Sequence, residues 1–148
     1  MQIRETKNRD IEQLAELFDE YRVFYRNDSD VNAAKNFLAD RIKYRDSEIF
    51  VCETNEDKLV GFVQLYPLFS STRMQKLWLL NDLFVTPEFR GMEISIHLID
   101  RAKKLVRDSS ACAMFLETEK SNMIGNKLYT KTGFKLNLGS NFYEWNQI

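Results

Sequence analysis

Between Leu77 and Val85 nearly every position is apolar or aromatic, the pattern of a strand buried on both faces rather than one with a wet side. Only Asn81 and Asp82 interrupt it. A turn follows at Thr86-Pro87-Glu88, and from Arg90-Gly91 onward the period changes. Ile94, Leu98, Ala102, Leu105 and Val106 recur at helical spacing. A strand, a tight loop and then a helix leave the first-turn amides of that helix without partners inside it, which is a layout for holding an anion.

The same reading extends to both ends of the chain. Gln2 to Glu5 alternates enough for a short strand. Asp10 is the expected N-cap, with Gln13 three residues on, of an amphipathic helix carrying Ile11, Leu14, Ala15, Leu17, Phe18 and Tyr21 and stopping near Asn27. The cluster from Asn27 to Asp30 starts a second helix with Val31, Ala34, Phe37, Leu38, Arg41 and Ile42 inward, ended by Tyr44-Arg45-Asp46. Glu48 to Glu53 and Leu59 to Leu68 predict strands joined by a polar hairpin loop, with Pro67 limiting pairing near the end of the second. Beyond the central helix, Ala113 to Thr118 predicts a buried strand. Asn122 to Thr132 predicts a helix with Ile124, Leu128 and Tyr129 inward and Gly133 as its C-cap. Phe134 to Leu138 and Phe142 to Trp145 read as the last two strands. This order suits an α/β architecture with a mixed sheet flanked by helices. With no repeat, low-complexity segment or linker, residues 1–148 are expected to form a single domain.

Composition narrows the function. Apolar residues at 44% and aromatics at 13% describe a globular chain, and 148 residues allow a proper core. The 21 basic and 22 acidic residues are mixed, for a net charge of −1, so neither nucleic acid nor an anionic membrane is the expected partner. No apolar run approaches the roughly 18 residues that span a bilayer, and the N-terminus has no signal-peptide core, so a cytoplasmic protein is expected. Cys52 and Cys112 read as free, buried thiols of a reducing compartment. No metal site is expected, since His97 is the one histidine and no Cys/His spacing suits a metal. His97 reads as solvated or lightly packed. Arg101, Lys103, Lys104 and Arg107 read as an exposed helix face.

The pattern Val85-x-Pro87-x-x-Arg90-Gly91 followed by an apolar helix resembles the acetyl-CoA motif of the GNAT superfamily of N-acetyltransferases. The family loop reads R-G-x-G-x-G or A, and its backbone donors bind the pyrophosphate of coenzyme A. Here it is Arg90-Gly91-Met92-Glu93-Ile94-Ser95, with Glu93 at the second glycine and Ser95 at the third small position. At roughly 6 Å and an effective dielectric of about 20, each pairing of the Glu93 carboxylate with a phosphate charge would cost on the order of 2–3 kcal/mol, less if the side chain swings into water. A second stretch, Asn122-x-x-Gly125-x-x-x-Tyr129-x-x-x-Gly133-Phe134, is similar to the family signature N-x-x-A-x-x-x-Y-x-x-x-G-F, with every spacing kept and only Ala replaced by Gly125. With Leu80 to Val85, Leu65 to Ser71 and Leu116 to Thr118, the resemblance covers nearly the whole chain. It is closest to small-molecule amine acetyltransferases of the polyamine and diamine type. The resemblance implies a mostly antiparallel central sheet flanked by about four helices, with acetyl-CoA as cosubstrate.

Acetyl transfer to a primary amine must remove a proton from a group with a pKa near 10.4. Asp82, flanked by apolar residues in the central strand, is the candidate that takes it or that binds the cationic amine while water carries the proton. Asn81 stands where polyamine acetyltransferases have the glutamate of a Glu-Asp pair. Asp82 also reads, evenly, as a strand aspartate stabilising a bulge. The resemblance assigns Tyr129 as the acid that protonates the departing thiolate, its phenol being protonated at neutral pH. It assigns Leu83, Phe84 and Val85 to the pantetheine arm, Arg90, Gly91, Met92, Glu93, Ile94 and Ser95 to the diphosphate, and Asn122 to the cofactor arm. An N-cap role explains Asn122 equally well. Tyr21 and Tyr25, with Asn81, Asp82 and Glu117, form the candidate pocket for an ammonium group, against plain core packing for the tyrosines. The reading is an N-acetyltransferase moving acetyl from acetyl-CoA to a small primary amine by direct transfer. Its alternatives are a non-catalytic ligand-sensing or interaction module with an altered loop, and a protein or peptide N-acetyltransferase. Family analogy adds a homodimer.

Overall fold

A computed structural model of the chain describes residues 1–147. It contains β1 (Gln2–Glu5), α1 (Ile11–Phe24), α2 (Val31–Tyr44), β2 (Glu48–Glu53), β3 (Leu59–Ser70), β4 (Gln75–Val85), α3 (Ile94–Asp108), β5 (Ala113–Phe115) and α4 (Met123–Lys131). Single 3-10 turns lie at Asn8–Asp10 and Pro87–Phe89. The five strands form one sheet in sequence order, β1-β2-β3-β4-β5. The first three pairings are antiparallel, and β4 pairs with β5 in parallel. By contacts the chain divides into two compact units, Met1–Glu117 with the whole sheet and a second from Thr118 onward with α4.

Alternation along the strands sends neighbouring side chains to opposite faces, and the helices cover both. Val51 and Phe62 pack with Leu14, Ala15, Phe18 and Leu38 of α1 and α2. On β2 the preceding residue, Phe50, meets α3 instead, with the Arg101 guanidinium carbon 3.9 Å from its ring centre. Leu98, Ile99 and Ala102 of α3 are fully buried. Gly61 permits the close approach that this packing needs. A Cβ there would lie 3.1 Å from the Phe84 carbonyl oxygen and 3.4 Å from Cγ2 of Ile94, the first residue of α3.

The middle of the chain follows its hydrophobic pattern closely, and the departures have physical causes. Asp10 does not cap α1. Its carboxylate accepts from Arg4 Nη1 at 2.7 Å, Arg4 Nη2 at 2.8 Å and the Lys7 amide at 2.7 Å, because a buried guanidinium outbids an amide for it. Arg4 also donates from Nε and Nη2 to Glu53, each at 2.8 Å, which ties β1, β2 and the turn before α1 together. Gln13, expected in a capping box, instead donates to the Asp57 carbonyl and accepts from the Leu59 amide. Asp30 does cap α2, accepting from the Ala33 amide at 3.0 Å. Val31 and Phe37 are more exposed than an inner face requires, leaving Ala34 and Leu38 as its buried contacts. Cys112 is exposed rather than buried, and both cysteines are free.

The C-terminal third departs furthest. The strand expected over Ala113 to Thr118 ends at Phe115 and is only half-buried. Ile124 is 85% exposed on α4 rather than inward. The two strands expected at Phe134–Leu138 and Phe142–Trp145 are not formed, since among the described residues no strand pairs with either segment. A strand exists only through its neighbour's hydrogen bonds, and the alternating apolar pattern does not say which chain supplies them.

Candidate active site

The centre of β4 is where the sheet changes character. Gln64 on β3 pairs with Asp82, but the next pair is Leu65 with Leu80, so Asn81 has no partner across the ladder. This is a bulge, which bends the strand and re-aims its side chains. β5 pairs only with Leu77, Trp78 and Leu79, so from Leu80 to Val85 the strand has a ladder on its β3 side alone. The backbone groups of Leu83, Phe84 and Val85 therefore lie in a stretch with one free edge.

Asp82 sits in that bulge and is almost fully buried. Gln64 Nε2 donates to one carboxylate oxygen at 2.8 Å and Asn81 Nδ2 to the other at 3.1 Å. Gln64, with no exposed surface, is itself fixed by Ser47 Oγ, which donates to its Oε1 at 2.9 Å. Burial raises the Asp82 pKa above the ordinary carboxylate value, opposed by the bonds from Gln64, Asn81 and the Tyr21 hydroxyl. Tyr66 nearby is pushed up to about 12 by burial and by the Asp82 charge.

Tyr21 reaches this cluster from α1, with its hydroxyl 3.4 Å from the Asn81 carbonyl oxygen freed by the bulge. Its ring makes edge contacts with Tyr25 at 5.2 Å, Phe62 at 5.7 Å and Phe84 at 6.0 Å. Tyr21, Tyr25, Asn81 and Asp82 are thus brought together, with the tyrosines packed on the core and one hydroxyl turned to the polar bulge. Glu117 lies two residues beyond β5, and no hydrogen bond among the described residues joins it to them. A separate groove between β1 and α3, lined by Ile3, Cys52, Met92, Ile94 and Arg101, shares no residue with the Asp82 cluster.

At the end of β4, Thr86 is buried, with its hydroxyl between Glu20 at 3.1 Å and Glu88 at 2.9 Å. The Arg90 side chain folds back onto the strand, donating from Nε to the Val85 carbonyl at 3.0 Å, with its guanidinium carbon 5.5 Å from the Phe24 and Phe84 ring centres. Gly91 has φ +80°, and a Cβ there would meet nothing within 4 Å, so open space lies over the loop. Glu93 takes a left-handed φ of +61° at the N-cap of α3, is exposed, and makes no side-chain bond to the helix amides. The first intrahelical bond at this end runs from the His97 amide to the Glu93 carbonyl. The amides of Ile94, Ser95 and Ile96 are left without an acceptor within the helix, at the positive end of its dipole.

In the second unit Asn122 caps α4, its Oδ1 accepting from the Gly125 amide at 3.0 Å while Nδ2 donates to Thr118 Oγ1 at 3.0 Å. A Cβ on Gly125 would meet that same Asn122 side chain, so an alanine here would need the Asn122 amide to shift. Tyr129 is half-buried, its ring in an edge contact with Phe134 at 5.8 Å between centres.

The sequence profile described as the acetyltransferase (GNAT) family matches residues 11–134. The chain belongs to the GNAT acetyltransferases. It is 38% identical over 139 residues, 94% of this chain and 93% of the relative, to an uncharacterized N-acetyltransferase, YhfO, of Bacillus subtilis. It is 29% identical over 144 residues, 97% of each chain, to a probable acetyltransferase of Haemophilus influenzae. A crystal structure of a probable acetyltransferase, 33% identical, covers 100% of this chain and 99% of its own with a TM-score of 0.95. The aminoglycoside N-acetyltransferase AAC(6')-Iy, solved with CoA, shares the fold at a TM-score of 0.82 and 18% identity, covering 99% of this chain and 95% of its own.

This GNAT enzyme uses acetyl-CoA. The features that suit the cofactor are the three amides at the start of α3 that have no acceptor within the helix, the open space over Gly91 and the stretch of β4 that, among the described residues, has a ladder on one side. When bound, acetyl-CoA supplies the thioester carbonyl that an amine attacks. Sequence reading missed Gln64, Ser47, Tyr66 and Thr86. Gln64 carried a signal, as the single polar residue in the apolar run from Leu59 to Leu65 of β3, whereas Ser47 and Thr86 read as ordinary loop residues.

Proposed function

We propose that the chain acetylates a primary amine of a small molecule by direct transfer, as a single catalytic domain that works as a homodimer in the cytoplasm. The observation that carries the reading is a buried carboxylate, Asp82, held by Gln64 and Asn81 beside the Tyr21 hydroxyl in the bulge of β4. A desolvated carboxylate beside a tyrosine hydroxyl suits an ammonium group, whose charge would compensate it. Cytoplasmic placement rests on the two free cysteines. The single domain is supported by the family match, which runs across the boundary between the two compact units.

In this reading Asp82 binds the cationic amine and accepts its proton directly or through water. The free amine nitrogen then attacks the thioester carbonyl. The C–N bond forms and the C–S bond breaks; the sulfur leaves with its electron pair and takes a proton from the Tyr129 hydroxyl, while the nitrogen gives up its second proton to water, which returns one to the Tyr129 oxygen. Leu83, Phe84 and Val85 hold the pantetheine arm, and the loop from Arg90 to Ser95 holds the diphosphate. Asn122 serves the cofactor arm through the cap it makes on α4. Tyr21, Tyr25, Asn81 and Glu117 shape the acceptor side.

A panel of polyamines, amino acids and aminoglycosides, read by release of free CoA thiol, tests this. Thiol release should depend on the amine, and Asp82→Asn and Tyr129→Phe should each slow turnover of the best amine on the order of 10²-fold. Turnover untouched by both changes would remove these roles.

A further inference from the structure

The groove between β1 and α3 is left unused by the acetyl transfer, and its walls follow from two periods. Ile3 on β1 lies opposite Cys52 on β2, so both side chains face one side of the sheet. Phe50, two residues before Cys52, faces the same side, the side that α3 covers. On α3, Ile94, Arg101 and Lys104 follow at steps of seven and three residues, which keeps them on one stripe of the helix. Leu98, Ile99 and Ala102 turn the other way and are fully buried. Together with Met92 these side chains line a groove of about 580 Å³, within the roughly 300–1,000 Å³ of small-molecule sites.

The lining divides by chemistry. Ile3, Cys52, Met92 and Ile94 are apolar, and Arg101, Lys104 and Arg107 set three cations against the one carboxylate of Asp100. Lys104 has a partner in the exposed Asp108. Arg101 is left short of one. Its guanidinium lies 3.9 Å from the Phe50 ring centre, its Nη1 is buried with no acceptor among the described residues, and its Nη2 reaches only the exposed Glu5, at 3.4 Å. A buried charged donor without an acceptor is costly, and a carboxylate is the acceptor whose two oxygens match a guanidinium.

We propose that this groove binds a free carboxylate on a linear apolar chain, of the medium-chain fatty acid type, with its head on Arg101 and Lys104 and its chain along Ile3, Cys52, Met92 and Ile94. The surplus of cations selects an anionic head. The apolar lining selects the chain, because a small inorganic anion would leave that part of the groove wet and would find no donor there. The site shares no residue with the Asp82 cluster, so the inference does not rest on the acetyl acceptor or on the role of Asp82. It borders the diphosphate loop through Met92 and Ile94, but it uses their side chains, whereas the diphosphate reading uses the backbone amides. Both ligands can therefore be held at once.

Thermal unfolding of the whole chain in octanoate tests this, with acetate as the head alone and 1-octanol as the chain alone. Octanoate at millimolar concentration should raise the melting temperature saturably, and neither control should do so. Arg101→Met should move the octanoate midpoint up by about tenfold. Lys104→Glu changes an exposed side chain and leaves the core alone; it should move the midpoint by about threefold and decides the matter if Arg101→Met does not fold. Saturating acetyl-CoA should leave the octanoate response in place. No response to octanoate, a response matched by acetate or octanol, a midpoint unmoved by Lys104→Glu or by a folded Arg101→Met, or a response lost in acetyl-CoA would each overturn the site, the last by giving the groove to the cofactor. None of these readings depends on turnover, so the acetyl transfer stands or falls separately.

Discussion

Asp82 carries a charge into a place that disfavours it, and the sign of that effect can be followed in two directions. Its folded pKa is raised by burial above the ordinary 3.8, so the folded state holds a proton that the unfolded chain releases. Its contribution to stability is therefore greatest below that value and falls as pH rises through the window between 3.8 and the raised folded pKa. Asp82→Asn should leave the melting temperature at pH 7 unchanged or higher while turnover drops, and a lower melting temperature would contradict the desolvated carboxylate. The opposite sign holds at Arg4. Asp10 and Glu53 are held below their ordinary pKa values by bonds from its guanidinium, so their contribution is present above about pH 4 and is lost as pH falls through the lowered values. Arg4→Met strands the buried Asp10 carboxylate and should cost on the order of 3 kcal/mol in denaturant unfolding at pH 7. Glu93 shows what single residues hide. Its left-handed φ of +61° is the geometry a glycine at that loop position adopts freely, so the backbone of the loop keeps its path while the side chain departs from the family pattern.

At the scale of elements, β2, β3, β4 and α3 were legible because each strand or helix has its partner inside the chain and its period repeats over several residues. The bulge was half legible. Asn81 and Asp82 marked a break in an apolar run, but the register slip against Gln64 and Leu65 depends on the neighbouring strand, which periodicity does not encode. The caps divide in the same way. Asp30 and Asn122 cap as their spacing suggests, whereas Asp10 was claimed by an arginine on β1. Gly61 links sheet and loop, since a Cβ would press the Phe84 carbonyl, Val85 and Ile94 together at 3.1 to 3.4 Å. Gly61→Val should cost about 1–3 kcal/mol by overpacking and should weaken acetyl-CoA binding through the displaced start of α3. Loss of stability with cofactor affinity intact would separate the two elements.

For the whole molecule, the pattern of the C-terminal third named strands and could not name their partner. Phe134, Leu136 and Leu138 keep the alternation, with Phe134 packed edge-on to Tyr129, but among the described residues none of the three joins a strand ladder. Ile124 on α4 shares that condition, exposed where its helical period places it inward. The cofactor side was legible as a motif, and the residues of that motif form the start of α3 after Gly91, which no side chain caps. The acceptor side was legible only as residue types, and its supports Gln64 and Ser47 came from folding alone. Among the described residues no helix is long and apolar enough to cross a membrane.

A calorimetric titration with acetyl-CoA bears most directly on the seat of the cofactor. One acetyl-CoA per chain is expected, with a dissociation constant on the order of micromolar to submillimolar. Glu93→Gly should tighten it by about threefold to tenfold, as an exposed carboxylate beside a diphosphate would if largely screened by solvent, and Asp82→Asn should leave it unchanged. No heat at millimolar acetyl-CoA, or affinity indifferent to Glu93→Gly, would contradict a diphosphate held by the amides at the start of α3.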